Sequence, residues 1–290
     1  MTCGCGYCTE TKRNTDVAVD ELRRKIALEN TFQREIRSAF RRMAGDFRIS
    51  VAATGSPQPA NKYVSTWEAT LQGHYERVQK SFRDEVALQN GKKSLRWWYV
   101  KQETTDEIIQ LALLAWRDDT APVQASEITR TNQREMESAL NDARNQMVED
   151  GDTITNASLA AAAAAILQAR LAGRVNLIAM TETQHAAEST KQITAEGLAG
   201  VRPFPLRNQV FEPGRPIEEI QQRDVTKTWR TVGDSRVRQS HRQENGSTVK
   251  VNQPFILEGY QLKYPGDPSS APIQLWINCR CSSEYNVNNG

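Results

Sequence analysis

Cys279 and Cys281 stand one residue apart late in the sequence, and Asp234 and His241 precede them by some forty residues. Two thiols, an imidazole and a carboxylate form an acceptable ligand set for zinc, which takes sulfur, nitrogen and oxygen donors tetrahedrally. The spacing is awkward for chelation. On a straight strand, residues i and i+2 share a face but lie about 6–7 Å apart. Two thiolates at ~2.3 Å from one ion must be closer than that, so a bend or bulge between the cysteines is required. The plainer alternative is a strand whose Ile277, Cys279 and Cys281 face the core while Asn278 and Arg280 point outward, because free cysteine packs as a small hydrophobe. His241 is then a hydrogen-bonded structural residue, and Asp234 pairs with Arg236 or Arg238 or caps a turn. Both readings stand on sequence alone.

A second thiol cluster, Cys3-Gly4-Cys5-Gly6-Tyr7-Cys8, opens the chain. Its glycines give the backbone room to wrap an ion, but it offers three ligands and needs a fourth from elsewhere. A Gly-rich leading segment is otherwise expected to be mobile. Five cysteines cannot all pair within one chain, and the residues after Met1 lack the basic patch and apolar run of a signal peptide, so a reducing compartment is expected. The sequence holds no G-x-S-x-G elbow, no H-E-x-x-H and no P-loop, and its histidines are His74, His185 and His241. Glu182 and His185 sit three residues apart on a predicted helix, where such neighbours read as an ordinary surface pair. Catalysis is not expected.

Two stretches are locally basic in a chain whose 37 Lys+Arg nearly balance 35 Asp+Glu. Glu21–Arg48 and Arg223–Arg242 each carry a net charge of +4, which makes Arg41, Arg42, Arg236 and Arg238 candidates for phosphate contact. The overall balance argues against a DNA-coating protein. Lys92, Lys93, Arg96 and Lys101 flank Trp97-Trp98-Tyr99, a mixture able to stack bases. Trp97 and Trp98 fit a protein interface better, because tryptophan is enriched where one edge of a ring is buried and the other is wet.

The elements that must position these residues are mostly helical. Leu22, Ile26, Phe32, Ile36, Phe40 and Met43 follow a helical period within Asp16–Asp46. The break at 54–59 leads to a second helix over Val64–Ala87, with Trp67, Leu71, Tyr75, Val78, Phe82 and Val86 on one face. Thr104 and Glu107 fit a capping box for a short helix to Trp116, and helix resumes over Ser126–Val148. A domain boundary is expected at Glu149-Asp150-Gly151-Asp152. Beyond it Asn156 or Ser158 caps a helix to Ala172 that contains six consecutive alanines, and another helix covers Val175–Ala199. After Gly200 come most of the eleven prolines and short β-like runs at Thr226–Thr231, Thr248–Val251 and Leu275–Cys281. The expected organisation is therefore an α+β chain: a Cys/Gly-rich segment (1–15), a helical region (16–150) and a small helix-plus-strand domain (151–290).

A hydrophobic content of 38% and a mean hydropathy of −0.63 are low for a self-contained enzyme of this length, so some helices are expected to finish burying themselves on partners. The greasiest run, Ile108–Trp116, is far short of the about 20 residues a bilayer requires. No membrane partner is expected.

Several pieces occur in order: Ile178-Ala179-Met180-Thr181-Glu182-Thr183; Trp229-Arg230-Thr231 followed by Asp234-Ser235-Arg236-Val237-Arg238-Gln239-Ser240-His241; Asn252-Gln253-Pro254-Phe255; Tyr264-Pro265-Gly266-Asp267-Pro268; and Ile277-Asn278-Cys279-Arg280-Cys281. Over residues 174–281 this ordered set resembles the phage head morphogenesis family named after the F protein of phage Mu. The resemblance implies a minor head protein of a tailed bacteriophage, present in a few copies at the portal vertex of the virion and assembled in the host cytoplasm. Its expected partners are the portal protein, other head proteins and possibly packaged DNA, and its expected work is head assembly, DNA packaging or DNA ejection. Many relatives carry an arginine where this chain has Met180, and its loss removes a group able to bind an anionic cofactor. That departure counts against an enzymatic role. A metal-containing effector enzyme delivered with the genome and a DNA-binding packaging factor are the alternatives.

Overall fold

The computed structural model describes residues 6–90, 103–201, 203 and 223–288. The chain is α+β with helix dominating: α1 (Gly6–Thr54), a 3-10 turn (Ala60–Tyr63), α2 (Val64–Phe82), α3 (Glu85–Gln89), α4 (Glu103–Glu149), α5 (Asn156–Leu198), β1 (Asp224–Arg230), α6 (Gln239–Glu244), β2 (Thr248–Lys250), β3 (Phe255–Leu257), β4 (Tyr260–Leu262), α7 (Ile273–Trp276) and β5 (Ser282–Asn288). Two compact units emerge, each assembled from separate stretches of chain. One comprises residues 1–28, 75–116 and 180–290, the other 29–74 and 117–179.

The second unit is helical throughout. Phe32, Ile36, Phe40, Met43, Phe47 and Val51 recur at helical spacing along α1 and are all buried, while Arg34, Arg37, Arg41 and Arg42 occupy its exposed faces. Phe40 meets Trp67 edge-on at 5.2 Å, and Phe32 stacks on His74 at 3.9 Å. The alanine run is periodic in burial: Ala160, Ala163 and Ala164 are inside, and Ala161 and Ala165 are outside. The α5 start is a reciprocal cap in which Ser158 N donates to Thr155 Oγ1 and Thr155 N donates to Ser158 Oγ.

Several expected boundaries shift. The helix expected from Asp16 begins at Gly6. The 104–116 and 126–148 segments are one helix that carries Pro122 internally, and the 156–172 and 175–199 segments are one helix with Gly173 inside it. Burial of one face along the whole length of each helix offsets the weak local propensity at these residues. The expected boundary at 149–152 is a turn within the helical unit. Gly151 takes φ +71°, Asp152 N donates to Met147 O and Gly151 N to Val148 O, a Schellman ending for α4.

The first unit holds the strands. β1 is central, with β2 and β5 antiparallel on either side; Lys227 pairs with Val249 and with Tyr285. The inward residues of β1 are Val225, Lys227 and Trp229, and those of β5 are Ser283, Tyr285 and Val287. The outer edge of β5 is capped by side-chain amides. Gln89 bonds Ser283 O and Tyr285 N, and Asn90 bonds Tyr285 O and Val287 N. Two side chains thus occupy the ladder positions of a missing strand and block edge-to-edge pairing. Thr226–Thr231 and Thr248–Val251 are strands close to the expected limits, but Leu275–Cys281 is not a strand. It is the short helix α7 followed by a turn.

Facing the sheet is the last third of α5, whose residues 181–199 are all buried despite their polarity. Gln192 donates to Val251 O at 2.7 Å and accepts from Lys227 Nζ at 3.1 Å and from Tyr285 OH at 3.0 Å. Lys25 Nζ bridges Glu21 at 2.8 Å and Glu188 at 3.0 Å, and Lys191 Nζ bridges the same two carboxylates at 3.0 and 2.7 Å. The result is a buried quartet of two cations and two anions. Burial opposes the charge on Glu21, but Lys191 and Lys25 outweigh it and hold the carboxyl well below its usual range.

Gly197 marks a close approach of α5 to α4. A Cβ there would stand 2.4 Å from Ile109 Cγ1, far inside van der Waals contact. Gly197→Ala is expected to destabilise by about 1–3 kcal/mol, the usual cost of overpacking. Combined with Ile109→Ala, the cost in urea denaturation should be less than the sum of the two single changes, because they share one space. Additive costs would mean that the helices are not in contact there.

Candidate metal centre

β1 ends at Arg230, and the chain turns through Asp234 before α6 brings His241 inward. Asp234 Oδ1 accepts the N–H of Arg236 at 3.0 Å and Val237 N donates to Asp234 O at 3.3 Å, an Asx-type turn that sets the entry to α6. On the other side, α7 stops at Trp276 and Asn278 adopts φ +54°, a left-handed conformation that asparagine tolerates. Cys279 N donates to Trp276 O and Asn278 N to Thr181 Oγ1, both at 3.2 Å. This turn supplies the bend that C-x-C chelation demands. It places Cys279 and Cys281 on the same side, against His241, before β5 begins.

All three residues are buried, and their donor atoms lie within 4.8 Å of one another. His241 Nδ1 is 3.4 Å from Cys281 Sγ and 3.6 Å from Cys279 Sγ. Tetrahedral zinc with Zn–S of ~2.3 Å and Zn–N of ~2.0 Å separates neighbouring donors by roughly 3.5–3.8 Å, so the observed separations match the edges of such a site. The Cys281 thiol beside Cys279, together with His241, overcomes burial and pushes Cys279 down to about 5. The same hydrogen bond and burial push Cys281 up. The direction of the Cys279 shift favours its thiolate, the form that binds metal. The apolar surround is Trp229, Val237, Phe255, Leu257 and Leu262. Trp229 is fully buried and meets the rings of His241 and Phe255 edge-on at 5.5 and 5.2 Å.

Asp234 lies outside the ligand group, although its residue type suits a metal. Its Oδ2 accepts from Arg280 at 2.7 Å and from Arg236 at 3.3 Å, and the bond from Arg280 is the main reason its carboxyl sits below the usual range. Ile277 is only half-buried. Arg238 donates to Ile277 O at 2.6 Å, so it clamps the cysteine turn. Among the other arginines considered for DNA, Arg41, Arg42 and Arg236 are exposed. Cys3, Cys5, the Cys8 side chain, Trp97 and Trp98 lie outside the described residues.

Glu182 and His185 are not a surface pair. Both are buried, Glu182 accepting from Tyr75 OH and His185 Nε2 lying 3.1 Å from Tyr264 OH. Burial pushes Glu182 up to about 7 against the lowering effect of Tyr75. Burial pushes His185 down to about 4, opposed by Asp267. Trp116 packs edge-on to His185 at 5.2 Å, so these groups serve as satisfied interior residues.

The sequence reading did not find the Glu21–Lys25–Glu188–Lys191 quartet. Its only trace was two helical-neighbour pairs, Glu21/Lys25 and Glu188/Lys191, which each look like solvent-facing pairs. No family model, curated protein or solved structure matches the chain.

Proposed function

We propose that this chain is a minor head protein of a tailed phage: a non-catalytic assembly component that docks on the portal and carries one zinc ion on His241, Cys279 and Cys281. The supporting observation is the convergence of the separated segments that carry the family resemblance. Thr181 holds the Asn278 backbone, Gln184 donates to the Cys281 carbonyl, Tyr264 meets His185, and Trp229, Phe255, Cys279 and Cys281 share one core cluster. Residues up to 97 positions apart thus build one domain, as expected if the ordered motifs reflect a common architecture. Zinc is favoured over other ions by the nitrogen-plus-two-thiolate donor set in tetrahedral spacing. When bound, the ion would tie α6 to the cysteine turn that precedes β5.

Docking is assigned to apolar helix surface. Val19, Leu22 and Ile26 recur at one-turn intervals on α1 and remain 42%, 51% and 46% exposed, unusual for aliphatic side chains aligned on one face. Coexpression with the portal protein of the same phage should give copurification. Leu22→Glu with Ile26→Glu should abolish it while leaving the melting temperature within a few degrees, since exposed positions contribute little to stability. A well-folded monomer that ignores portal in a pull-down overturns the docking reading.

A further inference from the structure

We infer that the metal centre keeps its fourth coordination position for an exchangeable small oxyanion, taken from solution through an arginine-rimmed cleft. The inference rests on the zinc reading above and specifies what that site binds. Among the described residues only three side chains converge as ligands, whereas a purely structural zinc is closed by four protein donors. Asp234, the carboxylate at the entry to α6, is engaged by Arg236 and Arg280 instead.

A cleft of about 20 Å³ borders the three ligand residues and is rimmed by Arg236, Arg238 and Arg280. That is room for roughly one water-sized atom, hence one donor oxygen with the remainder of its molecule at the mouth. The charge balance selects an anion. A divalent ion with two thiolates and a neutral imidazole has no net charge, and the rim sets three guanidinium groups against the single carboxylate of Asp234. Arg238 and Arg280 each use one nitrogen on the protein, Arg238 on Ile277 O and Arg280 on Asp234. Their other N–H groups form the planar forks that suit phosphate or carboxylate oxygens.

The test uses the full chain with cobalt(II) in place of zinc, titrated with inorganic phosphate. Two-thiolate charge-transfer bands and tetrahedral d–d bands that shift saturably with phosphate are expected. Arg236→Ala, at an exposed position, and Arg280→Gln should each weaken phosphate binding by about three- to tenfold without altering the charge-transfer bands. A three-thiolate spectrum indifferent to phosphate would mean that another cysteine closes the site, and would overturn the inference while leaving the metal reading intact. So would a two-thiolate spectrum that phosphate does not move, or phosphate affinity unchanged in both arginine variants. A chain that binds neither zinc nor cobalt overturns both readings together.

Discussion

Chelating the metal should cost the strand-bearing unit about 5 kcal/mol or more, the largest single loss expected for this protein. Metal binding to a site that exists only in the folded state is folding free energy, and His241, Cys279 and Cys281 come from two short segments otherwise joined by single side-chain bonds and packing around Trp229. α6 is six residues long and the cysteine turn has no strand partner. Purified protein should carry about one zinc per chain by elemental analysis. EDTA should lower its melting temperature markedly, and Cys279→Ser with Cys281→Ser should lose both the zinc and the response to EDTA. If the cysteines merely pack as hydrophobes, the serine variants still cost about 1–3 kcal/mol through buried hydroxyls, but EDTA changes nothing. The chelator therefore separates the two cases, and a metal-free, EDTA-indifferent protein refutes the site.

Lys191→Met should destabilise by about 3–5 kcal/mol, as expected when one partner is removed from a buried ion pair. The change leaves Glu21 and Glu188 sharing only Lys25, buried away from the surface. Adding Glu188→Gln restores neutrality and should recover part of the loss. Equal destabilisation of the single and double variants in urea would show that the quartet's charges do not interact. Acid should act on the same group. Because Glu21 titrates below its unfolded value, its contribution is present above about pH 4.5 and fades as pH falls below that. Glu182, raised to about 7 by burial, acts with the opposite sign: it favours the folded state increasingly as pH drops from about 7 towards 4.5. His185, lowered to about 4 by burial, offsets this by costing stability as pH drops from about 6.5 towards 4, so the net acid loss should come mainly below pH 4.5, where Glu21 adds to it.

How much of this was legible in the sequence depends on which interactions decide each element. Amphipathic helices reveal themselves through period, and Phe32–Val51 and Trp67–Phe82 were readable for that reason. β1 and β2 were readable from β-branched and aromatic alternation around Trp229. The last third of α5 was read as helix, but its environment was hidden. Thr181–Thr194 looks like a solvated surface because several of its polar side chains are satisfied by groups far away in sequence, such as Lys25 for Glu188 or Val251 O for Gln192. No local pattern encodes such a partner. The cysteine turn failed as a strand for a similar reason. Alternation of Ile277, Cys279 and Cys281 favours a strand locally, but the left-handed Asn278 and the clamp from Arg238 override it. The His241/Cys279/Cys281 grouping was anticipated from residue type. Asp234 was included for the same reason, yet two neighbouring arginines compete for its oxygens. The two units were invisible in sequence because each is built from non-adjacent stretches, so a turn at Gly151 resembles a border.

The pairing of β1 with β5 has a consequence for the order in which the chain can fold during synthesis. β1 holds its full-length partner in residues 282–288, and the buried quartet joins residues 21 and 25 to 188 and 191. A ribosome that has completed α5 has therefore delivered both halves of the quartet, while the strand that bonds Lys191 and Gln192 from the other side is still unmade. Trp229 and Val225 stay uncovered until the final strand emerges. Closure of such distant pairs is slow relative to helix formation, and the waiting intermediate exposes an unpaired strand edge. The amides of Gln89 and Asn90, made early, lie in wait for the outer edge of β5, so the last strand meets a prepared border as soon as it leaves the ribosome.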